Sequence, residues 1–246
     1  MSHKLGDIRS SRYTKWTIPH GFFPGSVEGR NLSVGYESTK TYLENRHTIV
    51  LSMGMDPVKA IFPYQVHGGN VCIIEKQMPS VLPTCDGLVT AIPGVTLGIS
   101  TADCAPVLFW DGADVVGICH AGWKGTRAGI LEHTLETVQS ISKTDKKIQA
   151  CIGPTIRSHH YEVSYDFYNL FVKEDAKSSQ FFKEQGFLSF DLPGYVKFRL
   201  MQKNCVVFDT LEDTFESSFV SRRQSRHQGL LSNHSFGSLI GIRKTD

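Results

Sequence analysis

The sequence predicts a mixed α/β (α+β) fold: a single domain spanning residues 1–246, built as a compact sandwich of mixed β-sheet with packed helices. Three observations lead to it. Short β-branched runs at Val95–Ser100, Val115–Cys119 and Lys147–Ile152 end in small residues or at Gly153-Pro154 and read as buried strands. A clear amphipathic helix lies between the second and third of these runs. Strands outnumber helices and do not alternate strictly with them, which disfavours a Rossmann arrangement.

The elements follow in chain order. Lys40–Leu51 mixes polar and apolar residues and predicts a helix. In residues 65–74, Val66, Val71, Ile73 and Ile74 flank His67-Gly68-Gly69-Asn70, which predicts two strand pieces joined by a tight Gly-Gly-Asn turn. From Thr126 onward, Ala128, Leu131, Leu135 and Val138 recur every three or four positions. Ile130, Thr134 and Ile141 widen that face into one that packs on a sheet. Ser164 is the expected N-cap of a helix carrying Phe167, Leu170 and Phe171 on one face. A further helix is expected over Gly194–Lys203, with Val196, Leu200 and Met201 inward. Phe219–Arg223 predicts a strand leading into a polar loop, and Phe236–Ile242 a closing strand.

Bulk properties exclude several function classes. The 246 residues are 40% hydrophobic and 20% charged, ordinary for a globular protein. A formal net charge of +2 provides no strong field for nucleic acid or an anionic membrane. The opening Met-Ser-His-Lys-Leu-Gly-Asp has no apolar core of a secretory signal, and no run approaches the ~18 apolar residues of a membrane span. The expectation is a cytoplasmic protein with neither nucleic acid nor membrane as partner. Cys72, Cys85, Cys104, Cys119, Cys151 and Cys205 form no C-x-x-C pair, and reduced thiols are expected. Neither G-x-G-x-x-G nor G-x-x-x-x-G-K-[ST] occurs, which removes dinucleotide and P-loop readings.

Three segments combine a reactive side chain with nearby glycine or small residues at an expected strand end: Tyr64-Gln65-Val66-His67-Gly68, Thr101-Ala102-Asp103-Cys104-Ala105-Pro106, and Cys119-His120-Ala121-Gly122-Trp123-Lys124-Gly125. Two imidazoles and a thiolate suit zinc, and three protein ligands leave a fourth position open. Such a site lowers the pKa of water from ~16 toward ~7. Taken singly, however, Cys104 is more often a core thiol, and His67 or His120 a hydrogen-bonded structural histidine. The same residues also suit a cysteine hydrolase acting on an amide, with Cys104 as nucleophile and His120 as its base. A multicopper oxidase would need many histidines, commonly as H-x-H; only ten occur and none forms that unit.

Taken in order, QVHG, CDGLVT, TADCAPV, CHAGWKG and IGPTI followed by YEV resemble the zinc-dependent purine nucleoside phosphorylase family. That family was formerly described as a laccase-like multicopper oxidase domain and includes peptidoglycan editing factors. The motif-bearing match runs from Tyr64 to Val163, with weaker traces at His20-Gly21-Phe22-Phe23, Asn45-Arg46 and Ser221-Arg222-Arg223. The resemblance implies a mixed α/β sandwich, often monomeric, with Zn2+ held by His67, Cys104 and His120. It implies phosphorolysis of adenosine, inosine, guanosine or methylthioadenosine, and deamination of adenosine. Purine nucleosides and phosphate are therefore the implied partners.

Zinc deaminases use a glutamate in H-x-E, which is absent, so Asp103 is the candidate proton shuttle. Gln65, Trp123, Lys124 and Arg222 are the candidate substrate residues. Trp123 could stack on a purine. Lys124 with the Gly125-Thr126 amides, and Arg222 with Arg223, could hold phosphate. The chain departs from the family pattern at Pro24-Gly25-Ser26, where an arginine is expected. It departs again at Val196 and Arg199, which replace Asn and Gln, and at Gln224-Ser225, which replace Asp-Gly.

Overall fold

A computed structural model describes residues 14–27, 30–35, 39–75, 81–184, 186–230 and 234–244. The strands and α-helices in chain order are β1 (His20–Phe23), β2 (Ser26–Val27), β3 (Arg30–Asn31), α1 (Lys40–Ser52), β4 (Ala60–Ile61), β5 (Val71–Ile74), β6 (Gly87–Thr90), β7 (Thr96–Thr101), β8 (Ala105–Trp110) and β9 (Val116–Ala121). They continue with α2 (Trp123–Arg127), α3 (Ile130–Ile141), β10 (Gln149–Ile152), α4 (Tyr165–Glu174), β11 (Phe182–Glu184), β12 (Leu188–Phe190), α5 (Leu192–Gln202), β13 (Val206–Asp209), α6 (Arg222–His227) and β14 (Phe236–Gly241).

Two mixed sheets carry the fold, as the sequence predicts. One has strand order β1-β14-β7-β4 and the other β13-β10-β8-β9-β6-β5. The alternation of side chains along a strand sorts their residues into layers. Leu108, Val116, Ile118, Leu88 and Cys151 of the larger sheet pack with Leu97, Ile99, Phe236 and Ile240 of the smaller one. The opposite face of the larger sheet presents Val107, Phe109, Cys119 and Ile152 to Leu131, Leu135 and Val138 of α3 and to Val196 and Leu200 of α5. On the outer side of the smaller sheet, Leu239 meets Ile49 and Val50 of α1. The result is a helix–sheet–sheet–helix stack, in which both strand runs and helices bury apolar faces.

Several expectations are corrected. Phe219–Arg223 is not a strand: Ser221 caps α6, its hydroxyl accepting from the Gln224 amide at 3.0 Å. The helix expected from Thr126 is two helices, because Gly129 takes φ +83° between α2 and α3. That left-handed conformation is unstrained only for glycine. Only the second of the two strand pieces expected in residues 65–74 forms, as β5. His67 instead turns the chain at φ +61°. β6, β8 and β13 were not anticipated as strands. All six cysteines are free thiols.

Candidate metal centre and active site

The site forms beside the end of β7, the start of β8 and the end of β9. In β9, His120 has the same parity as Val116 and Ile118, so its ring emerges between the sheets. β8 pairs antiparallel with β9, with Pro106 opposite His120 and Ala105 opposite Ala121. Cys104, immediately before β8, is thereby brought beside His120. The third residue, His67, comes from the loop preceding β5, and β5 joins the sheet through parallel pairing with β6. One donor atom from each of His67, Cys104 and His120 lies within 4.8 Å of the others. The two imidazole rings stand nearly perpendicular, 4.5 Å apart at 81°. Gly122 makes room for the sulfur: a Cβ at that position would stand 2.8 Å from Cys104 Sγ.

A buried carboxylate organises this cluster. Asp86 is fully buried, and its Oδ1 lies 2.8 Å from His120 Nδ1. The same side chain accepts the backbone amides of Val66, His67 and Gly68 at 3.2, 3.0 and 2.7 Å. One acid thus orients one imidazole through its ring and the other through its backbone. Burial pushes the Asp86 carboxyl up, but His120 and the Gly68 and Val66 amides outweigh that and hold it below its usual value. With Nδ1 held against Asp86, His120 turns Nε2 toward Cys104, an arrangement common among metal-binding histidines.

The thiol and imidazole perturb each other. Burial pushes the Cys104 thiol up, but the charge and hydrogen bonds of His120 and His67 bring it down to about 6. Burial disfavours imidazolium at His120, but Cys104 and Asp86 raise it to about 9. Away from the site, burial pushes the Cys119 and Cys151 thiols up, as inert core cysteines require. The donor set therefore fits a transition metal: one thiolate of lowered pKa and two imidazoles on the wall of an open cavity, with Gln65, Ser100, Thr101 and Arg222 also lining it.

The structure distributes the other sequence candidates unevenly. Gln65 lines the cavity, but its amide is engaged with β7: Nε2 donates to Ser100 O, and Oε1 accepts from Ser100 N and Oγ. Arg222, exposed at the start of α6, also lines the cavity. Asp103 does not. It takes φ +83°, its Oδ1 accepts from the Thr214 hydroxyl, and its Oδ2 accepts from the Arg223 amide at the start of α6. Trp123 packs edge-on to Phe167 at 5.2 Å, under Arg127. Lys124 is exposed over the Trp123 ring, 5.5 Å from its centre, and does not line the cavity. The Thr126 amide is engaged within α2, donating to Gly122 O.

Three residues were missed. Asp86 stands in the motif CDGLVT, where a single buried acid between apolar runs was the available signal. Thr101 and Ser235 line the cavity with buried hydroxyls that have no hydrogen-bond partner among the described residues. Thr101 opens the TADC motif, whereas nothing local marks Ser235.

Residues 17–234 match the family model described as "Multi-copper polyphenol oxidoreductase laccase". The chain belongs to this family. Among its relatives is a purine nucleoside phosphorylase of Rickettsia conorii, 33% identical over 210 residues, covering 82% of this chain and 81% of the relative. Another relative is a purine nucleoside phosphorylase of Rickettsia prowazekii, 29% identical over 84% of this chain and 92% of its own length. A protein named adenosine deaminase, from an unknown prokaryote, is 30% identical over 61% of this chain and 63% of its own length. The fold is shared with the YfiH crystal structure of Bacillus licheniformis: TM-score 0.77, 24% identity, 91% of this chain and 92% of that one covered.

Arg199 and Gln224, which the sequence reading singled out, have structural partners. Arg199 bonds to Glu132 at 2.7 Å and to the Tyr195 hydroxyl at 2.8 Å, bracing α5 against α3. Gln224 donates its amide to Phe215 O at 2.7 Å. Among the described residues, no helix is long and apolar enough to cross a membrane.

Proposed function

We propose that this chain is a zinc enzyme acting on purine nucleosides. It cleaves adenosine, inosine, guanosine or methylthioadenosine with phosphate, deaminates adenosine, and works as a cytoplasmic monomer. The observation that carries this reading is the convergence of His67, Cys104 and His120 on an open cavity, braced by Asp86. The names of the relatives support the substrate class.

His67, Cys104 and His120 would hold the ion. When bound, zinc supplies Lewis acidity and acidifies water. The remaining work falls to this chain's own groups. Asp86 keeps a proton on His120 Nδ1 and so keeps Nε2 available as a ligand. Gln65 fixes the end of β7 and with it the Ser100-Thr101 wall. Arg222 brings a permanent positive charge to the cavity, suited to phosphate. Asp103 acts as a strut for the Cys104 turn and for α6 rather than as the proton shuttle.

The deciding experiment incubates pure protein with adenosine, with and without phosphate, and separates adenine from inosine. Adenine formed only with phosphate supports phosphorolysis, and inosine formed without it supports deamination. Neither product from protein of confirmed zinc content would overturn the reading.

One observation favours a second reading. A thiol lowered to about 6 beside an imidazole raised to about 9 is the pairing a cysteine nucleophile uses. Cys104 would then attack an amide in a cell-wall precursor, with His120 as its base. Full hydrolytic activity of metal-free protein on such a precursor would select this alternative.

A further inference from the structure

We propose a second divalent transition-metal site, formed by His159, His160 and Asp213 with Glu216 beside them. It does not rest on the purine reading. Donor atoms of the two histidines and Asp213 lie within 4.8 Å of one another. They converge on a single oxygen: Asp213 Oδ2 is 3.0 Å from His159 Nε2 and 2.8 Å from His160 Nδ1.

His160 is set for ligation. Its ring stacks on Phe215 at 4.1 Å and 12°, which fixes the ring plane. Nδ1 points to the shared oxygen, while Nε2 lies 3.5 Å from Glu216 Oε1. A ring with one nitrogen at the site and the other against a carboxylate is the usual habit of a metal-binding histidine. His159 completes the approach from solvent, its side chain 58% exposed, which leaves a path for an ion.

Charge favours a cation there. Arg157, two residues before His159, commits its guanidinium to a two-pronged pair with Asp209 at 2.9 and 2.6 Å. Its contact with Asp213 is through its backbone amide to Oδ1, at 3.4 Å, and Phe215 N donates to the same oxygen at 2.9 Å. Oδ2 faces the imidazoles, and among the described residues the charged-group contacts of Glu216 are with the same two rings. Two carboxylates thus face the same pair of imidazole rings, and a divalent ion held there would be attracted by both. The nitrogen–oxygen donor set suits zinc, cobalt or nickel.

Such an ion would cross-link two segments that support the first site. Thr155 Oγ1 and Ile156 N both donate to Asp103 O, and Thr214 Oγ1 donates to Asp103 Oδ1. Clamping His159-His160 to Asp213 would therefore brace the turn that carries Cys104.

Imidazole N–H groups donating to Asp213 would give the same distances without metal, and cobalt(II) titration of metal-free protein separates the two cases. Cobalt on a thiolate has an intense sulfur-to-metal absorption, whereas cobalt on nitrogen and oxygen lacks it. The expected result is uptake of about two equivalents by wild type, with the sulfur band saturating at one. His159→Ala should take up about one equivalent with the band intact, and Cys104→Ser about one without it. Glu216→Gln, which keeps the ring stack, should weaken the band-free equivalent alone. At cobalt about 100-fold above the dissociation constant of this site, the melting midpoint should rise by about 5–10 °C more in wild type than in His159→Ala. Uptake of one band-bearing equivalent by wild type, or of two by His159→Ala, overturns the proposal.

Discussion

Asp86 Oδ1 lies 2.8 Å from His120 Nδ1, with both side chains shielded from solvent. The same carboxylate collects the amides of the His67 loop, so histidines from distant parts of the chain answer to one acid.

Asp86→Asn should therefore act at the metal before it acts on the fold. The amide keeps one acceptor oxygen for part of the loop, but its NH2 faces the remaining N–H donors and it no longer stabilises His120 with a charge. Zinc affinity should fall by about 10–100-fold in a chelator competition. Asp86→Ala removes the acceptor altogether and should cost about 3–5 kcal/mol in denaturant unfolding. Wild-type zinc affinity in Asp86→Asn would refute the orienting role.

Cys104→Ser and His120→Ala should each lose bound zinc and turnover together, measured by elemental analysis beside product chromatography. Stoichiometric zinc retained by either variant at this site would contradict the ligand set.

Arg222 and Lys124 should behave differently. Arg222 lines the cavity, whereas Lys124 lies over the outward Trp123 ring. Losing a charged hydrogen bond should raise the phosphate KM of Arg222→Ala by about 10–100-fold, with deamination of adenosine little changed. Lys124→Ala should leave both reactions near wild type. Equal loss of both reactions in Arg222→Ala would reject a phosphate role.

His20 yields a prediction about pH. Its Nδ1 meets Ile18 O at 2.7 Å and its Nε2 the Thr14 hydroxyl at 2.8 Å, which together specify one neutral tautomer. Burial lowers its pKa below 6.5, against the opposing pull of the Ile18 carbonyl. The unfolded chain then binds the proton more readily than the folded one. The contribution is fully present above the unfolded value and fades as pH falls through about 6.5 toward the lower folded value. Unfolding free energy should drop more between pH 7.5 and 5.5 in wild type than in His20→Gln; equal drops would exclude His20 as the cause.

Legibility from sequence followed locality. Helix α3 was readable because Leu131, Leu135 and Val138 repeat on one face. Strand β8 was not, because Pro106 sits in a central strand, where the missing N–H argues against sheet pairing. Helix α6 was hidden behind the β-prone Phe219-Val220, and part of what starts it is remote: the Asp103 carboxylate accepts the Arg223 amide. The metal-binding candidates were visible as residue types in glycine-bearing motifs. Asp86 was not, because its role exists only once β6 and β9 pair and the His67 loop folds back on them. Trp123 and Lys124 follow His120 closely in sequence but do not line the cavity with it, because the chain turns at Gly122 into α2.

The β8–β9 pairing bears on how the centre assembles during folding. Cys104 and His120 flank one antiparallel hairpin, whose bend Asp111 ties by accepting the Ala113 and Val115 amides. Its closure spans a short stretch of chain and is entropically cheap. His67 must wait for β6 to reach β9, where Gly87 meets Cys119, and for β5 to dock in parallel on β6, a slower and less local event. A nascent chain thus presents a two-toothed claw before it presents a cage, and an ion caught early would draw the last loop home.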